Sequence, residues 1–338
     1  MYNIGIIGLG NIGFKYDLDD KRKGVAGEGT KTHVSAYNNC KNVDLCGVVD
    51  IDNNIATQFK TLYPNIPVYK SVTRLMKNHN LDFVSICTPT SSHYNVLKEV
   101  IKYPIKGILC EKPIAHNLQK AQKMIELCDV NQILLSINHG RRWHNTYLHV
   151  KKLLDDNSIG NIKAASAIYS GEIFNIGTHL FDTIRMLINK DALRVSGIFD
   201  LNSNDNDPSI SGWIEFDGGI FCAILTNSSR FDMIFEIDLI GTKGRIKIVN
   251  NGKNISLYHY ENSKIYSGFR ELKETDPQEI KDNDVLVDAV KDNILFFEKK
   301  KKNLRCTGHD GYKALELSIS LVDSAKLNGE PIKINNEQ

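Results

Sequence analysis

A run of apolar residues, Tyr2 to Ile7, stops at Gly8-Leu9-Gly10-Asn11-Ile12-Gly13, and few folds accept three glycines at that spacing after a strand. The spacing suits a tight strand-to-helix turn whose backbone N–H groups approach a pyrophosphate, with the positive end of the next helix turned towards it. The chain continues as such a turn requires. The β-branched runs Asp44 to Val49, Phe83 to Cys87, Gly107 to Cys110 and Ile133 to Ile137 alternate with amphipathic stretches, among them Val34 to Asn39, Ile55 to Leu62 and Leu118 to Asp129. That alternation predicts βαβ units and a parallel sheet. The expected fold class is α/β, with a Rossmann dinucleotide-binding domain over residues 1–137.

After about residue 150 the helical periods give way to consecutive short strand-like runs, from Ala164 to Tyr169 through Ile255 to Tyr260, parted by turns such as Asp217-Gly218-Gly219 and Asn250-Asn251-Gly252. Hairpins and a large, mostly antiparallel open sheet are expected, making residues 138–338 an α+β substrate and oligomerisation domain. Two helical patterns, Asn283 to Lys300 and Gly311 to Leu327, close the chain and are free to pack back on the first domain. Residues 202–208 are expected to be an exposed connection.

The formal charge of +2 offers no global field for a polyanion, so nucleic acid is excluded as a partner. Lys299 to Lys302 reads as a solvated helix end. Seven scattered cysteines without a C-x-x-C pair indicate reduced thiols, and no stretch of about 18 apolar residues could span a bilayer. A cytoplasmic protein with no membrane partner is expected.

Asp50 ends the second strand pattern, where its carboxylate could accept both hydroxyls of an adenosine ribose and would repel a 2′-phosphate. Ile51 adds no basic group beside it, so NAD is expected as the cofactor in preference to NADP. Asp50 lies 37 residues after Gly13 because a polar segment, Lys15 to Thr32, is inserted. This segment is either a flap carrying Lys21, Arg22 and Lys23 towards phosphates or a solvated loop.

Thr88-Pro89-Thr90-Ser91-Ser92-His93 follows a strand, and Glu111-Lys112-Pro113 follows the next. With the glycine turn, and in this order, these motifs resemble the Gfo/Idh/MocA family of glucose-fructose oxidoreductase and inositol dehydrogenase relatives, over nearly the whole chain. The resemblance implies that Gly8, Gly10, Asn11, Ile12, Gly13, Asp50, Thr88, Pro89, His93, Glu111 and Lys112 surround the cofactor. It places Lys112 between nicotinamide and substrate, as a catalytic and substrate-binding residue. A strand-end lysine in a partly dry pocket can have its pKa lowered towards working pH, which suits proton transfer. No metal site is expected.

Asn138 to Trp143 resembles the family's arginine-containing segment, and Arg141 or Arg142 would either fork a substrate carboxylate or diphosphate or form an interdomain salt bridge. Asn175 to Asp182 resembles the family's D-x-G-x-H-x-x-D pattern, with His179 and Asp182 matching and Asn175 standing where an aspartate is usual. An amide orients a hydroxyl without taking its proton, so either His179 is the base, with Lys112 as its partner and Asn175 as a substrate contact, or the site performs something other than simple dehydrogenation.

The resemblance implies an NAD-dependent dehydrogenase acting on a secondary hydroxyl of a sugar, nucleotide sugar or cyclitol, and a homodimer or homotetramer. The departure at Asn175 keeps two alternatives open: a redox-neutral enzyme that retains its NAD, and a non-catalytic NAD-bound regulator.

Overall fold

The structure, a computed structural model, describes residues 1–18, 30–201, 206–275 and 280–335. They form two compact units, one of Met1–Trp143 with Asn283–Tyr312 and one of His144–Asp282 with Lys313–Gln338. Lys21, Arg22, Lys23 and most of residues 202–208 lie outside the described residues.

The first unit is built on a parallel sheet of six strands: β1 (Tyr2–Ile7), β2 (Val43–Val49), β3 (Val68–Tyr69), β4 (Phe83–Ile86), β5 (Gly107–Cys110) and β6 (Leu134–Ile137). Its spatial order is β3-β2-β1-β4-β5-β6. The order reverses between β1 and β4, and in open sheets of this kind ligands bind outside the carboxyl ends of the strands at such a switch point. Both β4 and β5 are buried along their whole length, which is why they read as unbroken apolar runs rather than alternating ones.

The helices between the strands are α1 (His33–Asn39), α2 (Asn53–Leu62), α3 (Val72–Asn78), α4 (His93–Val100) and α5 (Leu118–Val130). Side chains of Thr32, Asp52, Ser71 and Asn117 cap four of them, meeting backbone donors that the first helical turn leaves unpaired. The helix Val285–Phe297 belongs to this unit too. Its Leu286, Val287 and Val290 join a core with Ile4, Tyr37, Phe83 and Leu109.

The second unit holds α6 (Asn145–Asp155), α7 (Thr178–Ile188) and a sheet of nine strands. Its strands are β7 (Ile162–Ser170), β8 (Ala192–Phe199), β9 (Ile210–Phe216), β10 (Ile220–Asn227), β11 (Phe235–Gly241), β12 (Gly244–Val249), β13 (Asn254–Asn262), β14 (Arg270–Glu274) and β15 (Ile332–Lys333). Every neighbouring pair is antiparallel except β7 with β10. On one face, Val195, Ile214, Ile224 and Ile237 pack against Phe181 and Ile184 of α7 and Leu321 of the last helix, Gly308–Lys326.

That helix approaches β8 closely because Gly197 has no side chain. A Cβ there would lie 2.5 Å from the Leu321 carbonyl oxygen, and one on Gly212, its partner on β9, would lie 2.0 Å from that of Ser196. Gly197→Ala is therefore expected to push helix and sheet apart and to cost about 1 to 3 kcal/mol of stability. Urea denaturation checks this; an unchanged midpoint would show that the backbone yields.

Candidate dinucleotide and proton-transfer site

Gly8 leaves β1 with φ at +97°, and a Cβ on it would meet the backbone of Cys87 and Thr88 at 2.8 Å. A Cβ on Gly13 would meet the Gly8 carbonyl oxygen at 2.3 Å, whereas one on Gly10 would come no closer than 4.0 Å, to the Cys87 carbonyl oxygen. The first and third glycines thus let the turn close on itself and on the end of β4. The middle one leaves the outside bare, with Asn11 exposed and Ile12 half-buried beside it. The chain then turns into a helix at Asn11–Lys15, whose first N–H groups face outward as helix starts do. This cradle fits a dinucleotide pyrophosphate.

Asp50, just past β2, accepts hydrogen bonds on both carboxylate oxygens, from the Leu9 N–H at 2.7 Å and from the Asp52 N–H at 2.8 Å. Each oxygen keeps a lone pair for a ribose hydroxyl. Lys70, which follows β3, donates its ammonium to the carbonyl oxygens of Asp50 and Ile51 at 3.2 and 3.3 Å. This cation stands beside Asp50 although the neighbouring sequence offers none, because β3 pairs with β2 and returns the chain to it.

Thr88 is half-buried and Pro89 exposed at the end of β4. His93, expected to line the cofactor, is buried instead. Its Nε2 lies 2.8 Å from the Thr88 carbonyl oxygen and its Nδ1 3.1 and 3.2 Å from those of Pro113 and Ile114. The ring ties one strand-end loop to the next.

Glu111 follows β5 and is buried. Its Oε1 accepts from His33 Nε2 at 2.8 Å and from Asn138 Nδ2 at 2.7 Å. Burial pushes the Glu111 carboxyl up, but the hydrogen bond and charge of His33, the Asn138 amide and the charge of Lys112 outweigh it and hold it below the usual range. Lys112 itself is half-buried at the carboxyl end of the sheet. Burial also raises the thiols of Cys87 and Cys110 well above their usual values, with Glu111 adding to it, so neither is a nucleophile.

Arg142 is turned inward. It donates to the Arg305 carbonyl oxygen at 2.6 Å and to Asp310 at 2.8 Å. Both partners lie in its own unit, so these contacts are neither a substrate fork nor an interdomain bridge. Arg141 is half-buried beside it.

In the second unit, Asn175 sits in a wide helical turn, Ile173–Gly177, and His179 is the second residue of α7, both half-buried; Asp182 is fully buried. Asn175 donates to Glu172 at 3.4 Å, and Arg230 pairs with that carboxylate at 3.4 Å. Glu172 brings a carboxylate to the amide that replaces the expected aspartate. Glu172 lies outside the motif, so no residue pattern points to it.

Residues 2–139 match the profile of an oxidoreductase family with an NAD-binding Rossmann fold, GFO_IDH_MocA. An uncharacterised oxidoreductase of Schizosaccharomyces pombe is 25% identical over 142 residues, 36% of this chain and 38% of that protein. The chain thus spans about two-fifths of the length of such curated relatives. A Bacillus subtilis glucose-6-phosphate 3-dehydrogenase is 24% identical over 300 residues, 79% of this chain and 77% of its own. The crystal structure of a putative myo-inositol dehydrogenase from Sinorhizobium meliloti superposes with a TM-score of 0.74 at 18% identity, covering 99% of this chain and 100% of that one, and so shares the fold. Among the described residues no helix is long and apolar enough to cross a membrane.

Burial lowers the pKa of His93 against the pull of its carbonyl partners. A histidine harder to protonate when folded contributes stability that is complete above its ordinary value of 6.5 and is lost as pH falls below it. His93→Gln, which does not titrate, is expected to flatten the fall in Tm between about pH 7 and about pH 5. Parallel melting curves for wild type and variant would count against this assignment.

Proposed function

Because residues 2–139 match the model of the Gfo/Idh/MocA oxidoreductases, with their NAD-binding Rossmann fold, we propose that this chain is an NAD(P)-dependent dehydrogenase acting on a secondary hydroxyl of a sugar or cyclitol. The observation that carries the reading is the convergence at one sheet edge of the glycine cradle, the Asp50 carboxylate and Lys112. Relatives named for glucose 6-phosphate and for inositol support the substrate class. When bound, the nicotinamide supplies the hydride acceptor.

The chain's own residues hold the reactants and manage the proton. Gly8, Gly10, Asn11, Ile12 and Gly13 would take the pyrophosphate, Asp50 the adenosine ribose, and Thr88 and Pro89 the nicotinamide end. Lys112 would hold the reacting hydroxyl and pass on its proton. His179 would serve as the base, and Asn175 as the amide that orients the substrate. Asp50 supports NAD as the preferred cofactor, and Lys70 offers a positive charge beside it that would soften its rejection of a 2′-phosphate.

A second copy of the chain is the proposed occupant of the open face of the nine-stranded sheet. Phe221 and Leu225 of β10 and Ile198 of β8 stand about half-exposed or more on it, and Trp213 stacks beside Phe221 at 5.3 Å. Apolar side chains gathered on an open sheet face favour a partner. Leu225→Glu is expected to lower the mass seen by sedimentation equilibrium; a wild type already monomeric would remove the proposal.

Mixing the protein with NAD or NADP and a panel of sugars, sugar phosphates, nucleotide sugars and inositols is expected to give reduced nicotinamide with at least one substrate, more from NAD. Lys112→Ala is expected to lower kcat about 100-fold or more while leaving the Kd for NAD within a few-fold. Equal loss of turnover and NAD binding would contradict the role given to Lys112, and silence across the panel with NAD bound would contradict the dehydrogenase.

A further inference from the structure

The loop that carries Lys112 is gripped on both sides of that residue. Ahead of it, Glu111 is held by His33 from α1 and by Asn138 from the end of β6. Behind it, the carbonyl oxygens of Pro113 and Ile114 meet the buried His93 ring from α4. Lys112 emerges between the two grips, half-buried, while Glu111 and Ile114 are buried.

In the first grip the direction of the hydrogen bonds to Glu111 is fixed. A carboxylate only accepts, so His33 Nε2 carries the proton it offers to Glu111, and the Asn138 amide turns its nitrogen the same way. On its other side His33 Nδ1 lies 2.8 Å from Ser85 Oγ, which lies 2.5 Å from the Tyr37 hydroxyl. Four elements, α1, β4, β5 and β6, are thereby fixed to one carboxylate. Stability alone is a poor reason for such an arrangement, since a buried charged pair gains little over apolar side chains of the same volume. Asn138 also keeps Oδ1 buried without a partner among the described residues, at a cost of about 1 to 3 kcal/mol. What the arrangement does provide is an immobile negative charge next to Lys112 in the chain.

We propose that His33 and Asn138 are positioning residues, which hold Glu111 as a fixed carboxylate and through it set the place and the charge of Lys112 during proton transfer. This rests on the role given to Lys112 above. The titratable or charged groups coupled to Glu111 are His33, Lys112, His93, Cys87 and Cys110. Among them Lys112 is the neighbouring cation, and removing the carboxylate is expected to make its ammonium easier to deprotonate.

The test reads Lys112 directly. Reductive methylation with ¹³C-formaldehyde labels the lysines, and the Lys112 signal is the one missing from Lys112→Arg. Glu111→Gln is expected to move its NMR titration down by about one pH unit. His33→Leu is expected to move it the same way, because an unsupported buried carboxylate takes up a proton, and His33→Gln, which can still donate to Glu111, to restore it. In steady state, Glu111→Gln and His33→Leu are expected to lower kcat roughly 10- to 100-fold with KM little changed, and to shift the pH profile with the Lys112 titration.

An unmoved Lys112 titration in a folded Glu111→Gln or His33→Leu protein would overturn the proposal, whatever happens to Tm. Should His33→Leu not fold, Asn138→Ala carries the same comparison. If Lys112→Ala turns over normally, the reading of Lys112 as proton carrier fails, while the titration still reports whether Glu111 controls its charge.

Discussion

The carboxyl edge of the six-stranded sheet depends on a methyl group that is absent. At Gly8 the backbone turns through φ +97° and passes so close to Cys87 and Thr88 that a Cβ would sit at 2.8 Å from them. A side chain there would force β1 and β4 apart at their ends, where the strand order reverses. The loops after β4, β5 and β6 are referenced to one another by buried polar side chains: His93 joins the first two, and Glu111 with Asn138 joins the last two. The glycine sets the distance, and the polar contacts hold it.

Features that repeat along the chain were legible in its residues. Short β-branched runs alternating with amphipathic ones gave a parallel sheet, and Asp-Gly-Gly or Asn-Asn-Gly turns gave hairpins. Elements that lack a period were missed. β3 has two residues and β14 is exposed along its length. Neither presents the alternation that identifies a strand. The boundary expected at residue 137 follows the last strand of the sheet, whereas the compact unit runs on to Trp143 and takes up residues 283–312. Contacts between residues far apart in sequence decide that, as they do at Arg142, whose partners are Arg305 and Asp310.

Motif residues were easier to find than the residues that serve them. Lys112 stands out because it follows a strand between Glu111 and Pro113. His33 does not, because a helical histidine among polar neighbours carries no signal until β5 brings Glu111 to 2.8 Å from it. Asn138 was in view only as the first residue of an arginine-bearing segment, and Lys70 and Glu172 were outside every motif. In each case the chemistry comes from a pairing made by topology rather than by spacing.

The return of residues 283–312 to the first unit has a bearing on how the protein is made. The helix Val285–Phe297 supplies Leu286, Val287 and Val290 to the core beneath Ile4 and Phe83. A ribosome that has extruded only the first 143 residues has delivered every strand of the sheet but left part of its apolar surface bare. Exposed surface of that kind is what makes partly folded chains aggregate. The nucleotide-binding half, although encoded first, is not complete when its last strand has been made, and its unpacked surface has to wait while some 140 further residues are synthesised.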